Sequence, residues 1–319
     1  MSSVTPVYIL VLRMTERRRA EHTLTAQREL ELLGLTTQAE AMIQTVSDSG
    51  LAVFTLRQIG DLLGQLSEPL PISSRLAVSF LVERRILTKT TLISIAKRKI
   101  TRYTRPQASP FQLALSLTNR GYLSHGAALY LNGLAKSPPR AIHVNEEQSA
   151  KPRSTMAPSQ ATIDRAFKGK QRSSKREFIY QRQRIVILNG KQSGRLGTGE
   201  LLGARGERLA TTLPARTLVD VVVRPDYAGG PTEILKAYKQ AAGKVSVDEI
   251  VATLKQLDYV YPYHQAICFY LERAGVPAER LQPLKALGLN FDFYLGYGLE
   301  NPAYDARWRV FVPRDLAAT

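Results

Sequence analysis

Positive charge in this chain is gathered rather than spread. Of 319 residues, 44 are Lys or Arg and 27 are Asp or Glu, for a net charge of +17. Residues 84–105 hold eight cations and no acid, and residues 151–184 hold ten cations against two acids, so two short segments supply sixteen of the seventeen excess charges. A surface made basic only for solubility distributes its charge. One that binds a polyanion concentrates it, because each phosphate it neutralises releases condensed counterions. Nucleic acid is therefore the leading partner.

The rest of the composition narrows the setting. Hydrophobic residues at 44% and charged residues at 22% are globular values. At roughly 100–200 residues per domain, the length accommodates two or three domains. A single cysteine, Cys268, makes no internal disulfide, which fits a reducing, cytoplasmic setting. Four scattered histidines beside one cysteine leave little for a structural zinc site, and neither a metal nor another cofactor is expected. The apolar run Val7 to Leu12 is far short of the ~20 residues of a membrane span, and the cations Arg13, Arg17, Arg18 and Arg19 follow it, where a secretory signal would place them before it. Met1 and Met14 both remain open as the start.

Helix-forming residues from Thr23 to Val46 predict one or two amphipathic helices broken at Gly34. Thr55 then stands as an N-cap before Leu56, Ile59, Leu62 and Leu63, a turn spans Gly64 to Pro71, and Ser73 caps a second helix with Leu76, Ala77, Phe80, Leu81 and Ile86 inward. A β-branched strand, Leu87 to Ile95, and a returning basic strand, Lys97 to Tyr103, follow. Helix, turn, helix and basic hairpin are the elements of a winged helix-turn-helix over 45–105, preceded by an extension and helix over 1–44. In that motif the second helix enters the major groove and the hairpin lays cations along phosphates. Ser74, Arg75, Val78, Ser79 and Val82 point away from the apolar stripe, and Arg75 is placed to pair with a guanine edge.

Further on, Pro110 to Leu117 is expected as a strand and Ser124 to Gly133 as a capped helix, within a connecting segment 106–145. Ser124 beside His125 reads as a cap followed by a packed or surface histidine rather than a nucleophile and its base, since nothing local orients such a pair. Residues 146–176 lose periodicity and form a basic linker, its cations including Arg165, Lys168, Lys170, Arg172, Lys175 and Arg176. Ser173 and Ser174 among them suit either backbone phosphate contacts or a solvated linker. From 177 to 319 the pattern is mixed: strands over Phe178 to Leu188 and between Leu201 and Thr212, a helix opened by Pro214, further helices over Thr232 to Ala242, Ser246 to Leu257 and Tyr263 to Ala274, and an aromatic extended tail.

Catalytic constellations are missing. Each Gly-Lys pair, at Gly169, Gly190 and Gly243, lacks the Ser or Thr of a phosphate-binding loop. No Asp or Glu has Lys two positions on, the arrangement that puts both on one strand face in many nucleases, and no D-x-D pair exists for a two-metal site. H-E-x-x-H and G-x-S-x-G are absent as well. The sequence argues for binding without catalysis. Single-strand binding would interleave aromatics with the cations, whereas only Tyr103 and Tyr180 lie in or beside the basic segments, so duplex DNA is preferred.

Two stretches carry a resemblance. Leu123 to Leu134 (LSHGAALYLNGL), and Thr211 to Asp220 (TTLPARTLVD) continuing through Arg224 to Gly230 (RPDYAGG), are similar in order and spacing to the AbiE-type antitoxins of type IV toxin–antitoxin systems. The tail Phe291 to Leu295 with Trp308-Arg309 is a weaker third match, and together the three span about residues 45–313. The resemblance implies a transcriptional repressor with an N-terminal winged domain and a C-terminal antitoxin domain, which represses its own operon and opposes a nucleotidyltransferase toxin without a stable complex. The N-terminal extension and the long linker depart from the family's pattern. Arg216 and Asp220, four apart, suit a local ion pair as well as any functional role.

The sequence therefore predicts an α+β chain: a winged helix-turn-helix domain followed by a mixed α/β domain. With the resemblance, the chain is expected to act as a sequence-specific repressor that binds duplex operator DNA, as a possible homo-oligomer on DNA, with no membrane partner. The expected DNA contacts are Ser73, Ser74, Arg75 and Ser79 on the reading helix, and Arg84, Arg85, Lys89, Lys97, Arg98, Lys99 and Arg102 at its end and on the hairpin. Lys168, Lys170, Arg172, Lys175 and Arg176 add linker contacts. The alternatives are a DNA-processing protein and an architectural protein that binds nucleic acid without sequence choice.

Overall fold

The structure, a computed structural model, describes residues 25–32, 34, 36–66, 72–150 and 157–317. The expectations for the extension before residue 25 and for the prolines of the 64–71 turn lie outside the described residues. Contacts divide the chain into two units: residues up to Thr91 with Thr101–Ala108, and Leu92–Ile100 with Ser109 onward. The fold class is α+β.

In the first unit, α1 (Ala26–Leu32) and α2 (Thr36–Asp48) are separated at Gly34, whose φ of +67° is a conformation only glycine adopts without strain. Thr55 and Gln58 form a reciprocal capping box that starts α3 (Leu56–Leu63). The Ser73 hydroxyl accepts the Leu76 amide at 3.2 Å and starts α4 (Ser74–Glu83). Leu30, Met42, Val46, Phe54, Ile59 and Leu81 fill the core between them, each burial contributing about 1.5–3 kcal/mol. The Glu83 carboxylate, at the end of α4, accepts the Ala26 and Gln27 amides at 2.9 and 3.1 Å and so caps α1. Val78, expected on the outer face of α4, is buried with Ala77 and Phe80, because α1 packs against that side of the helix. Strand β1 (Val53–Phe54) pairs antiparallel with β3 (Lys99–Thr104), which returns from β2 (Thr88–Ser94).

The extension and the proposed winged domain are thus not separate: α1 and α2 share one core with α3 and α4. The hairpin divides as well, since its tip, 92–100, belongs with the second unit.

The second unit is built on a mixed sheet of β4 (Tyr122–Ser124), β5 (Ala141–Glu147), β6 (Glu177–Tyr180), β7 (Gln183–Gly190), β8 (Thr198–Leu202) and β9 (Arg208–Thr212), in the order β6-β7-β5-β4-β9-β8. Two parallel pairings, β5 with β7 and β4 with β9, alternate with antiparallel ones. Beyond β6, the hairpin tip adds antiparallel, with Ile93 opposite Ile179 and Ser94 opposite Phe178.

Pro110 to Leu115 is helical (α5), correcting the expected strand: Ser109 and Gln112 close a capping box and Pro110 occupies the first turn, where its missing N–H costs nothing. Helix α6 (His125–Leu131) follows β4 directly. Where it is described, at residues 146–150 and 157–176, the stretch expected as a linker is structured. Glu146 and Glu147 extend β5, and Ser159 caps α7 (Gln160–Lys168), which buries Ile163 and Phe167. The polar composition around those two residues conceals a short helix anchored by one apolar edge. Helices α8 (Pro214–Val223), α9 (Pro231–Ala241), α10 (Val247–Leu257) and α11 (Tyr263–Arg273) enclose the main core, and a three-stranded sheet of 293–294, 310–312 and 303–305 carries the tail.

Candidate nucleic-acid interface

Helix α3 approaches α4 at Gly60, where a Cβ would lie 2.7 Å from the Ser74 hydroxyl as it is oriented here. With that face of Ser74 against α3, the side chains of Arg75 and Ser79 stand exposed four residues apart, one turn above the other. Ser73 is exposed and spends its hydroxyl on the cap. Arg84 and Arg85 are exposed where the helix ends, Arg85 in the left-handed conformation at φ +57°. Lys89 points to solvent from β2, while its neighbour Thr90 is buried against Thr104 at 3.0 Å. Arg102 is half-buried, donating to the Thr101 carbonyl at 3.0 Å, and burial lowers its pKa. The cap, body and end of α4 therefore carry six of the eight site residues assigned to this unit, with Lys89 on β2 and Arg102 on β3.

Lys97, Arg98 and Lys99 lie on the tip that belongs to the second unit, and all three are exposed. The Ser94 hydroxyl accepts the Arg98 amide at 2.9 Å, and Lys97 takes φ +57° to close the turn. The Ile95 amide donates to the Glu177 carbonyl at 3.1 Å. That bond sets the tip turn beside Lys175 and Arg176, so cations about 75 residues apart in sequence meet at one strand edge. Sequence spacing carries no trace of this, because it follows from a strand pairing between distant segments.

Residues 157–184 of the second basic segment are folded and partly engaged. Lys168 ends α7, and Lys170, Arg172 and Lys175 are exposed. The Arg172 carbonyl accepts the Tyr227 hydroxyl at 2.9 Å, and the Ser174 hydroxyl donates to the Ile187 carbonyl at 2.6 Å. Arg176 is tied down: its guanidinium bonds Glu146 at 2.6 Å and Asn189 at 3.1 Å. Its charge is already balanced, which weakens it as a phosphate ligand.

The two stretches that carry the family resemblance pack together. Leu123 pairs with Thr211, the Thr211 hydroxyl donates to the Leu123 carbonyl at 3.1 Å, and the Asn132 amide donates to the Thr212 carbonyl at 2.9 Å. The side chain of Ser124 makes no helix cap: its hydroxyl pairs instead with Nδ1 of the buried His125 at 2.9 Å. His125 itself sits at φ +51°, and burial together with neighbouring His143 holds its pKa well below the usual imidazole value.

The fold has a counterpart among solved structures. The crystal structure of the Rv2827c protein from Mycobacterium tuberculosis superposes with a TM-score of 0.54 over 86% of this chain and 91% of that one, at 13% sequence identity. At that identity the likeness is one of fold. No protein-family model matches the chain, and no curated protein matches it in sequence. Among the described residues, no helix is long and apolar enough to cross a membrane.

Proposed function

We propose that this chain is a sequence-specific duplex-DNA-binding repressor that acts by binding and not by catalysis. The observation that carries the reading is the concentration of exposed cations in two places: on and after the second helix of a capped helix pair, and at the strand edge where the hairpin tip meets the segment before β6. Arg75 and Ser79 supply base-edge contacts. Arg84, Arg85 and Lys89, with the tip and linker cations, supply phosphate contacts, which fix register without reading sequence.

The finer assignment, an antitoxin of a type IV system that represses its own operon and opposes a nucleotidyltransferase toxin without stable complex formation, rests on the resemblance of 123–134 and 211–230. It is supported by the direct packing of those two stretches on each other. Selection of bound duplexes from a random pool, using the full chain, tests the reading. A repressor enriches one sequence, with half-sites about 34–36 Å apart if it binds as a dimer. A pool that stays random at every salt concentration favours an architectural protein instead.

A further inference from the structure

A deep cleft of about 1120 Å³ opens in the second unit, with Gln171, Ser173, Ser174 and Glu177 of the second basic segment along one wall. That volume is just above the ~300–1,000 Å³ of typical small-molecule sites. Its inner wall is aromatic. The rings of His143 and Tyr227 lie 4.6 Å apart, and His125 meets Tyr227 edge-on at 5.3 Å. Leu129, Leu134 and Val186 line it as apolar surface.

This wall is built with care at one glycine. A Cβ on Gly126 would stand 3.1 Å from the Tyr227 carbonyl and 3.2 Å from Pro139, so the absent side chain lets the Tyr227 loop close over the start of α6.

The imidazole of His143 is 6% exposed, and its Nδ1 has no hydrogen-bond partner among the described residues. Burial, assisted by the Arg184 charge, pushes its pKa down to about 4, so the ring is neutral and offers either an N–H or a lone pair. Buried polar atoms are nearly always paired, and this unpaired, solvent-inaccessible one belongs to a side chain that lines the cleft. Gln171 is fixed nearby, its carbonyl oxygen accepting the Asp226 amide at 3.2 Å.

The mouth is cationic. Five cations and three acids line the cleft. Arg184 engages Glu177 at 2.7 Å and Lys236 engages Glu233 at 2.7 Å. Lys136, Arg140 and Lys239 are then set against Asp226 alone, and burial pushes that carboxyl up.

We infer that this cleft binds a nucleoside monophosphate, its base against Tyr227 and hydrogen-bonded to His143, its phosphate on Arg140 and Lys239. The aromatic wall supplies stacking, which any base satisfies. A neutral imidazole matches the donors and acceptors of a base edge, and the rim cations match a dianion.

The test is calorimetric titration of the full chain with each of the four ribonucleoside 5′-monophosphates, with the matching nucleoside and with inorganic phosphate. At least one monophosphate should bind saturably at one site, and its nucleoside about tenfold more weakly, the loss expected when a charge-assisted bond worth about 1.4 kcal/mol goes. A Arg140→Ala/Lys239→Ala variant, altered only at exposed positions, should show the same loss with an unchanged melting temperature. His143→Phe should weaken nucleoside and nucleotide alike. If that buried replacement does not fold, the rim variant and the nucleoside comparison decide alone. No saturable binding by any of the four up to ~5 mM, where free energies fall to about 3 kcal/mol, overturns the inference. So does undiminished binding in the rim variant, or inorganic phosphate binding as tightly as the nucleotides.

Discussion

Arg216 and Asp220 form an ion pair closed off from water, Nε to Oδ1 at 2.8 Å, with side chains 3% and 7% exposed. The Arg216 guanidinium also donates to the Leu196 carbonyl at 2.6 Å and the Ser193 hydroxyl at 3.2 Å, tying α8 to the loop before β8. Burial opposes the Arg216 charge, yet Asp220 holds its pKa above the ordinary value. Gly197 crosses directly over the pair at φ +63°, where a Cβ would stand 2.7 Å from Arg216 Cβ. Arg216→Met leaves a buried carboxylate alone and should cost about 3–5 kcal/mol. Combining it with Asp220→Leu should recover much of that loss, and Gly197→Ala should cost at least ~1–2 kcal/mol for its left-handed backbone alone. Urea denaturation midpoints of the three variants and of wild type check this.

Glu83 acts at a distance of 57 residues as the cap of α1. Glu83→Ala should cost about 1 kcal/mol, whereas Glu83→Gln should retain part of the cap through its carbonyl oxygen. Thermal melting of both variants separates capping from a general charge effect.

His143 makes stability depend on pH. Unfolded, it titrates near 6.5, and folded near 4, because burial and Arg184 disfavour the imidazolium, with Glu177 opposing them. Above pH 6.5 both states are neutral there. As pH falls toward 4 the unfolded chain takes a proton that the folded chain refuses, so stability drops by up to about 1.4 kcal/mol per pH unit and then levels off. Wild type should therefore lose up to about 3 kcal/mol more than His143→Phe between pH 7 and 4. Denaturation midpoints at three pH values give the difference, and equal losses would mean that the imidazole is not buried neutral.

Ordered cations before β6 should add affinity without sequence choice. Replacing Lys168, Lys170, Arg172 and Lys175 by Gln should flatten the salt dependence by as much as about 0.9 log unit per lost phosphate contact, alike on specific and random duplexes. Arg176→Gln should leave the slope nearly unchanged and lower stability instead, since its charge is spent on Glu146. Log–log plots of affinity against salt distinguish the two.

Local signals were legible in the sequence where one residue decides an outcome. Thr55 and Ser73 cap their helices as their positions predict, Gly34 separates α1 from α2, and Pro214 opens α8. Pro110 to Leu117 misled because Leu113, Leu115 and Leu117 alternate with polar or small residues as in a strand; the capping box of Ser109 and Gln112 was the overlooked signal. Val78 misled because α4 is packed on two sides, which a single apolar stripe does not anticipate. The depth of the Arg216–Asp220 pair was hidden too, since i,i+4 spacing is the same on a surface helix and on one buried all round. The meeting of residues 94–95 with 177–178, and of His143 with Tyr227, depends on pairings between distant strands and loops, which no local pattern encodes.

In the proposed repressor, α4 reads sequence while the hairpin tip grips phosphate. Fluorescence-anisotropy titrations at one salt concentration, on a duplex selected by the full chain and on its scrambled counterpart, compare wild type with Arg75→Ala and with a Lys97/Arg98/Lys99→Gln triple variant. Arg75 is exposed, so its loss spares the fold. Arg75→Ala is expected to weaken the selected duplex by about 1–3 kcal/mol and the scrambled one much less, while the triple variant weakens both equally. Equal losses on both duplexes for Arg75→Ala would contradict this expectation.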